Sequence, residues 1–217
     1  MKTSIRLTAA FCGVAFIGCA AAQQNSPWTV RLGAANVSFS TKADVQVNGA
    51  TVPGANAKAS SNTTLGLEIA YDISRDWTGR FLIGVPPTTT LTGTGALAGT
   101  GTLGKAKYGP AVLSATWNMV DAGPVRPYIG AGLNYTIVFS SQDGFISNLD
   151  VKSAFGAVAE IGATVPLDGG WSITLDARKI FLKTKANGTL PAMGGAAAHA
   201  DLRLDPLVVF ASVGKAF

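Results

Sequence analysis

The sequence predicts an all-β chain, an eight-stranded antiparallel up-and-down transmembrane β-barrel. Apolar residues recur with period two in segments of about ten residues, the length of a tilted strand crossing a bilayer. Short and long connections alternate along the chain, as they do in outer-membrane barrels. Past the N-terminus, no apolar run approaches the roughly 18 residues that a spanning helix needs. Composition agrees. Of 217 residues, 47% are hydrophobic and only 13% charged, with 26 Gly and two Glu. A disordered chain would have the opposite balance, and a helical bundle would be rich in Glu and Lys and poor in Gly.

Residues 1–22 read as an export signal. Lys2 and Arg6 form a basic start, Leu7 to Ile17 an apolar stretch too short to span a membrane, and Ala20 to Ala22 a small-residue cleavage site before Gln23. The barrel then occupies 23–217. Both cysteines, Cys12 and Cys19, fall inside the signal, so the processed chain has no disulfide, thiolate metal site or cysteine nucleophile. Phe16-Ile17-Gly18-Cys19 also resembles a lipoprotein box, the competing reading of this segment.

Eight segments alternate in turn. Residues 28–39 set Trp28, Val30, Leu32 and Ala34 against Thr29, Arg31, Gly33 and Ala35. Residues 63–73 set Leu65, Leu67, Ile69, Tyr71 and Ile73 against Gly66, Glu68 and Asp72. Phe81, Ile83 and Val85 oppose Arg80, Leu82 and Gly84 in 78–85, and 107–119 places Leu113 and Trp117 opposite Tyr108, Ser114 and Thr116. The clearest is Arg126 to Phe139, with Ile129, Leu133, Tyr135, Ile137 and Phe139 on one face and Tyr128, Asn134 and Thr136 on the other. Residues 151–165 oppose Phe155, Ile161 and Val165 to Lys152, Glu160 and Thr164; residues 171–183 oppose Ile173, Leu175 and Phe181 to Asp176 and Arg178. The eighth strand runs from about Leu202 to Phe217. Short links fall at 74–76, 121–124 and 168–170, and long loops are expected at 40–61, 86–105, 140–150 and 184–199. Trp77, Trp117 and Trp171 lie beside the short links, where an aromatic girdle belongs.

Charge narrows the function classes. Without Lys2 and Arg6, 15 basic and 12 acidic residues remain, scattered singly, so no nucleic-acid stripe exists. Six charges sit on inward faces: Arg31, Glu68, Arg80, Glu160, Asp176 and Arg178. An Arg facing lipid at mid-membrane costs about 2–4 kcal/mol, which favours the lumen. They read either as an ion-pair network plugging the barrel or as a polar lining for solute passage. A lumen of eight strands is filled by its own side chains, which favours the plug.

Gly99 to Gly104 matches GxGxxG, but β pattern follows where a nucleotide site needs a helix. His199 is the single histidine and no GxSxG occurs, so neither a triad nor a histidine metal site is supported. No enzyme, cofactor or metal is expected.

Three runs resemble the outer-membrane protein W (OmpW) family: RPYIGAGLNYTIVF (Arg126 to Phe139), DLRLDPLVVFASVGKAF (Asp201 to Phe217) and NTTLGLEIAYDIS (Asn62 to Ser74). The Gly/Thr-rich stretch 86–105 and the YGPAV run of the fourth strand depart from the family's pattern. The resemblance implies a Gram-negative outer-membrane barrel, a narrow channel or receptor for small hydrophobic solutes. A solute would enter an apolar pocket near the outer side, touching residues such as Val138 and Leu204, and leave sideways into the membrane. The implied partners are outer-membrane lipid and lipopolysaccharide, those solutes, and the assembly machinery, which would read Phe217. The rival readings are a structural or adhesive barrel acting through its extracellular loops, and a lipid-modifying enzyme, which the single histidine opposes.

Overall fold

The computed structural model describes residues 26–119 and 124–217. The export segment 1–22, the boundary at Gln23 and residues 120–123 of the second short link lie outside the described residues. In chain order the strands are β1 (Trp28–Ser38), β2 (Lys42–Val47), β3 (Ala50–Thr51), β4 (Ala55–Ala59), β5 (Asn62–Asp72), β6 (Trp77–Gly84) and β7 (Thr88–Gly95). They continue with β8 (Thr102–Asn118), β9 (Arg126–Asp143), β10 (Ser147–Val151), β11 (Ala154–Pro166), β12 (Trp171–Leu190), β13 (Ala196–Arg203) and β14 (Leu207–Ala216).

The wall is the antiparallel ring β1-β5-β6-β8-β9-β11-β12-β14, closed where β14 pairs with β1. Directly paired residues lead once around from Trp171 through Lys215, Val30, Ile69, Phe81, Leu113, Leu133 and Ala157. They return to β12 at Phe181, ten residues further along. Stagger and strand number together fix tilt and width, and eight strands leave room for little besides side chains. Every described tryptophan is exposed at the short-turn end, with Trp77 directly opposite Trp117 and Trp28 in tilted ring contact with Tyr71, centroids 4.7 Å apart. Leu65, Leu133, Phe155 and Ile161 belong to the exposed apolar band above them.

The long connections correct the sequence reading. Segments 40–61, 86–105, 140–150 and 184–199 are mostly strand, so the wall rises well above the membrane band. Ser38 faces Leu207 and, four residues on, Lys42 faces Arg203: the ladder resumes in its own register after a short break. Breaks at 39–41, 60–61, 85–87, 152–153 and 204–206 thus interrupt five of eight long strands, while β8, β9 and β12 run through. Proline explains two of them, because Pro86, Pro87 and Pro206 have no N–H to give a ladder.

The expected single strand from Leu202 to Phe217 is therefore two, β13 and β14, and the fourth strand starts at Thr102 instead of 107. Asp205 adopts φ 33°, and its Oδ1 accepts the Leu182 N–H at 3.1 Å. A carboxylate there replaces a missing ladder carbonyl. Lys152, expected inside by alternation, is exposed at a break and ion-paired with Asp150 at 2.5 Å. Gly99 and Gly101 have positive φ at the tip between β7 and β8, and Thr102 to Gly104 already belong to β8, with no helix after the GxGxxG run.

Two seams of the upper wall are joined through side chains. Asn56 Oδ1 accepts the N–H groups of Ala43 and Ala57 at 2.9 and 2.8 Å, tying β2 to β4. The Asp143 carboxylate accepts those of Asn148 and Leu149, both at 2.9 Å, tying β9 to β10.

Candidate functional site

The six inward charges meet at mid-barrel because alternation on five different strands aims them at one point of a narrow lumen. Glu68 on β5 is one hub. Its Oε1 lies 2.7 Å from Arg31 and 3.4 Å from Arg80, and its Oε2 accepts from Arg178. Arg178 Nη2 also donates to Glu160 at 3.1 Å and to Asp176 at 3.2 Å. Ser114 donates to Glu160 at 2.7 Å, and Arg80 donates to Thr116 at 3.1 Å and to the Tyr128 hydroxyl at 3.0 Å. The Arg80 guanidinium also lies over the Tyr128 ring at 3.8 Å, and Arg178 faces Phe210 at 5.8 Å.

All six are buried, Glu68 and Arg178 completely. Three carboxylates meet three guanidiniums, so the cluster is balanced in charge, as burial requires. Glu68, Glu160 and Asp176 stand close enough together to hold a cation, yet the arginines already occupy their oxygens.

Above it the lumen turns apolar. Ala35, Val37, Leu82, Val112, Val158, Ile180, Val208 and Phe210 form one buried cluster, and a second continues into the raised wall. Two cavities run through them. The lower, of about 40 Å³, is lined by Val37, Phe39, Tyr108, Val138, Ile180, Leu204 and Pro206 among others. The upper, of about 50 Å³, reaches Leu97, Ile146 and His199 at the outer end. Leu91 and Leu202 line both and form the partition. Val138 and Leu204, singled out from sequence, thus both face the lower cavity. An apolar cavity of about 150 Å³ is known to take up benzene, so this tube must open before it admits a ring.

His199 sits near the rim, its Nδ1 2.6 Å from Asn187 Oδ1 and its Nε2 3.8 Å from Asp201. Sequence reasoning left out Tyr128, Ser114 and Thr116 as network members and Phe210, whose ring Arg178 faces. All four lie on faces that alternation assigns inward. Leu91 could not be found that way, because its surroundings alternate Thr and Gly with almost no apolar contrast.

The OmpW family profile matches residues 24–217. The dibenzothiophene metabolism operon protein PahQ of Pseudomonas aeruginosa is 42% identical over 194 residues, spanning 89% of this chain and 90% of its own. Among solved structures, OprG of Pseudomonas aeruginosa superposes with a TM-score of 0.81 at 24% identity, covering 88% of this chain and 95% of its own. The outer-membrane protein AlkL, solved in lipid bilayers, gives a TM-score of 0.72 at 25% identity, with 94% and 96% covered.

Proposed function

The chain belongs to the OmpW family of outer-membrane barrels, and on that premise we propose that it carries small hydrophobic solutes into the outer membrane. The observation that carries this reading is a lumen that is apolar from its outer mouth down to a charged floor. An apolar solute gains by leaving water for such walls, at about 25 cal/mol per Å² buried. It gains nothing by crossing a layer of six paired charges. The solute enters past Leu97 and Ile146, opens the Leu91–Leu202 partition, and touches Val138 and Leu204.

Below that point the way on is sideways. The break at 204–206 flanks the lower cavity, where Pro206 leaves the wall with fewer ladder bonds to part. The name of the PahQ relative's operon suggests a fused-ring aromatic as cargo. Phe217 serves as the signal by which assembly machinery receives the barrel.

The test is uptake of dibenzothiophene by cells whose outer membrane carries the full chain, against the same cells without it. Faster uptake is expected. Equal rates at confirmed outer-membrane levels of the barrel would leave the structural or adhesive reading in its place.

A further inference from the structure

A second feature lies on the outside of the wall. Lys183 on β12 is directly opposite Arg203 on β13, which is directly opposite Lys42 on β2. All three are exposed. Cross-strand neighbours of like charge repel, and here three stand in a row. Arg203 Nε donates to Asp205 Oδ2, but among the described residues Lys42 and Lys183 have no acidic group within ion-pair distance. The row continues downward into aromatics: Phe155, 74% exposed, lies next to Tyr135 with ring centroids 4.4 Å apart.

Between them the outer wall is hollowed into an open groove of about 370 Å³. Leu133, Phe155 and Phe181 form its apolar floor, and Lys183 and the Arg203–Asp205 pair its upper rim. The raised strands leave from the long-connection end, which faces the outside in barrels of this type. The groove therefore lies in the outer leaflet, acyl-compatible below and cationic above.

We propose that this face binds one lipopolysaccharide molecule, with an acyl chain in the Phe155–Phe181 groove and its phosphates on Lys42, Lys183 and Arg203. Three cations on successive strands span more than one phosphate, which suits a diphosphorylated saccharide head better than a phospholipid's single phosphate. The binding rests on the barrel's place in the outer membrane; its groove adjoins the break at 204–206, and it is measured separately from solute uptake.

The experiment is native mass spectrometry of the full chain in mild detergent with diphosphoryl lipid A, monophosphoryl lipid A or phosphatidylglycerol. Wild type is expected to retain diphosphoryl lipid A at least tenfold better than phosphatidylglycerol. The double variant Lys42→Gln/Lys183→Gln is expected to lose that retention at least tenfold, and Lys42→Arg/Lys183→Arg to keep it. Lys105→Gln/Lys107→Gln, which removes exposed cations of β8 outside the groove, is expected to bind as wild type. Heat-modifiable migration on gels confirms that each variant is folded. Equal retention of phosphatidylglycerol, an unchanged Lys42→Gln/Lys183→Gln variant, or an equal loss in the β8 variant would each overturn the site.

Discussion

At the scale of single residues, Glu68 is one of two hubs of the lumen: three arginines converge on its two oxygens, as three carboxylates converge on Arg178. Removing one partner of a buried ion pair leaves the other uncompensated, at a cost of about 3–5 kcal/mol. Glu68→Gln should therefore lower unfolding stability in urea by that order, whereas Asp150→Asn, which touches the exposed Lys152 pair, should change it by less than about 1 kcal/mol. Equal effects would mean that the mid-barrel network does not act as a unit. The six charges were legible because a period-two pattern assigns each to the lumen without any knowledge of its partner. Which acid meets which arginine depended on strand stagger, and that is set by the registers of all eight pairs at once.

Asp143 offers a pH-dependent counterpart outside the membrane. The backbone N–H groups of Leu149 and Asn148 hold its carboxyl below the ordinary carboxylate range. A depressed folded value means that the contribution is present above the unfolded value and fades as pH falls through the folded one. Amide exchange at Asn148 and Leu149 should therefore be slow near neutral pH and accelerate in acid. In Asp143→Ala it should be fast at both, with every rate corrected for intrinsic exchange. Protection that does not change with pH in the native protein would assign the seam between β9 and β10 to other contacts.

At the scale of elements, the membrane-spanning parts were readable and the raised wall was not. Lipid on one face forces apolar residues into strict alternation, as in β9 from Ile129 to Phe139. Above the membrane both faces tolerate Thr, Gly and Ala, so β7 and the start of β8 carry no such contrast even though they pair antiparallel, with one register shift between Leu91 and Thr92. Asp205-Pro206 likewise hid a break inside a run that alternates without a fault. The last element, β14, makes its own prediction. Phe217 is half exposed, and its N–H donates to the Trp28 carbonyl at 3.2 Å, beside the barrel's closure. As a girdle aromatic alone, it is worth at most about 1.5–3 kcal/mol. Deleting it should reduce outer-membrane yield far more than such a loss explains, with the refolded variant nearly as stable in detergent as the full chain. Yield that tracks stability would remove its role in assembly.

At the scale of the whole molecule, the barrel divides into a charged floor, a tight apolar tube and a wall raised above the bilayer. Each follows from its surroundings. Lipid dictates the outer band, narrowness forces the inner charges to pair, and the absence of lipid higher up frees the sequence to become Gly- and Thr-rich. For the proposed carriage of solutes, the Leu91–Leu202 partition between two cavities of about 40 and 50 Å³ is the step to test. Leu202→Trp would fill both at a stability cost of about 1–3 kcal/mol for overpacking. The deciding measurement is the uptake rate of a fused-ring aromatic by cells carrying equal outer-membrane amounts of native barrel and Leu202→Trp. The account predicts that the native barrel speeds uptake and that Leu202→Trp returns it to the rate of cells with no barrel. Uptake through Leu202→Trp as fast as through the native chain would contradict it.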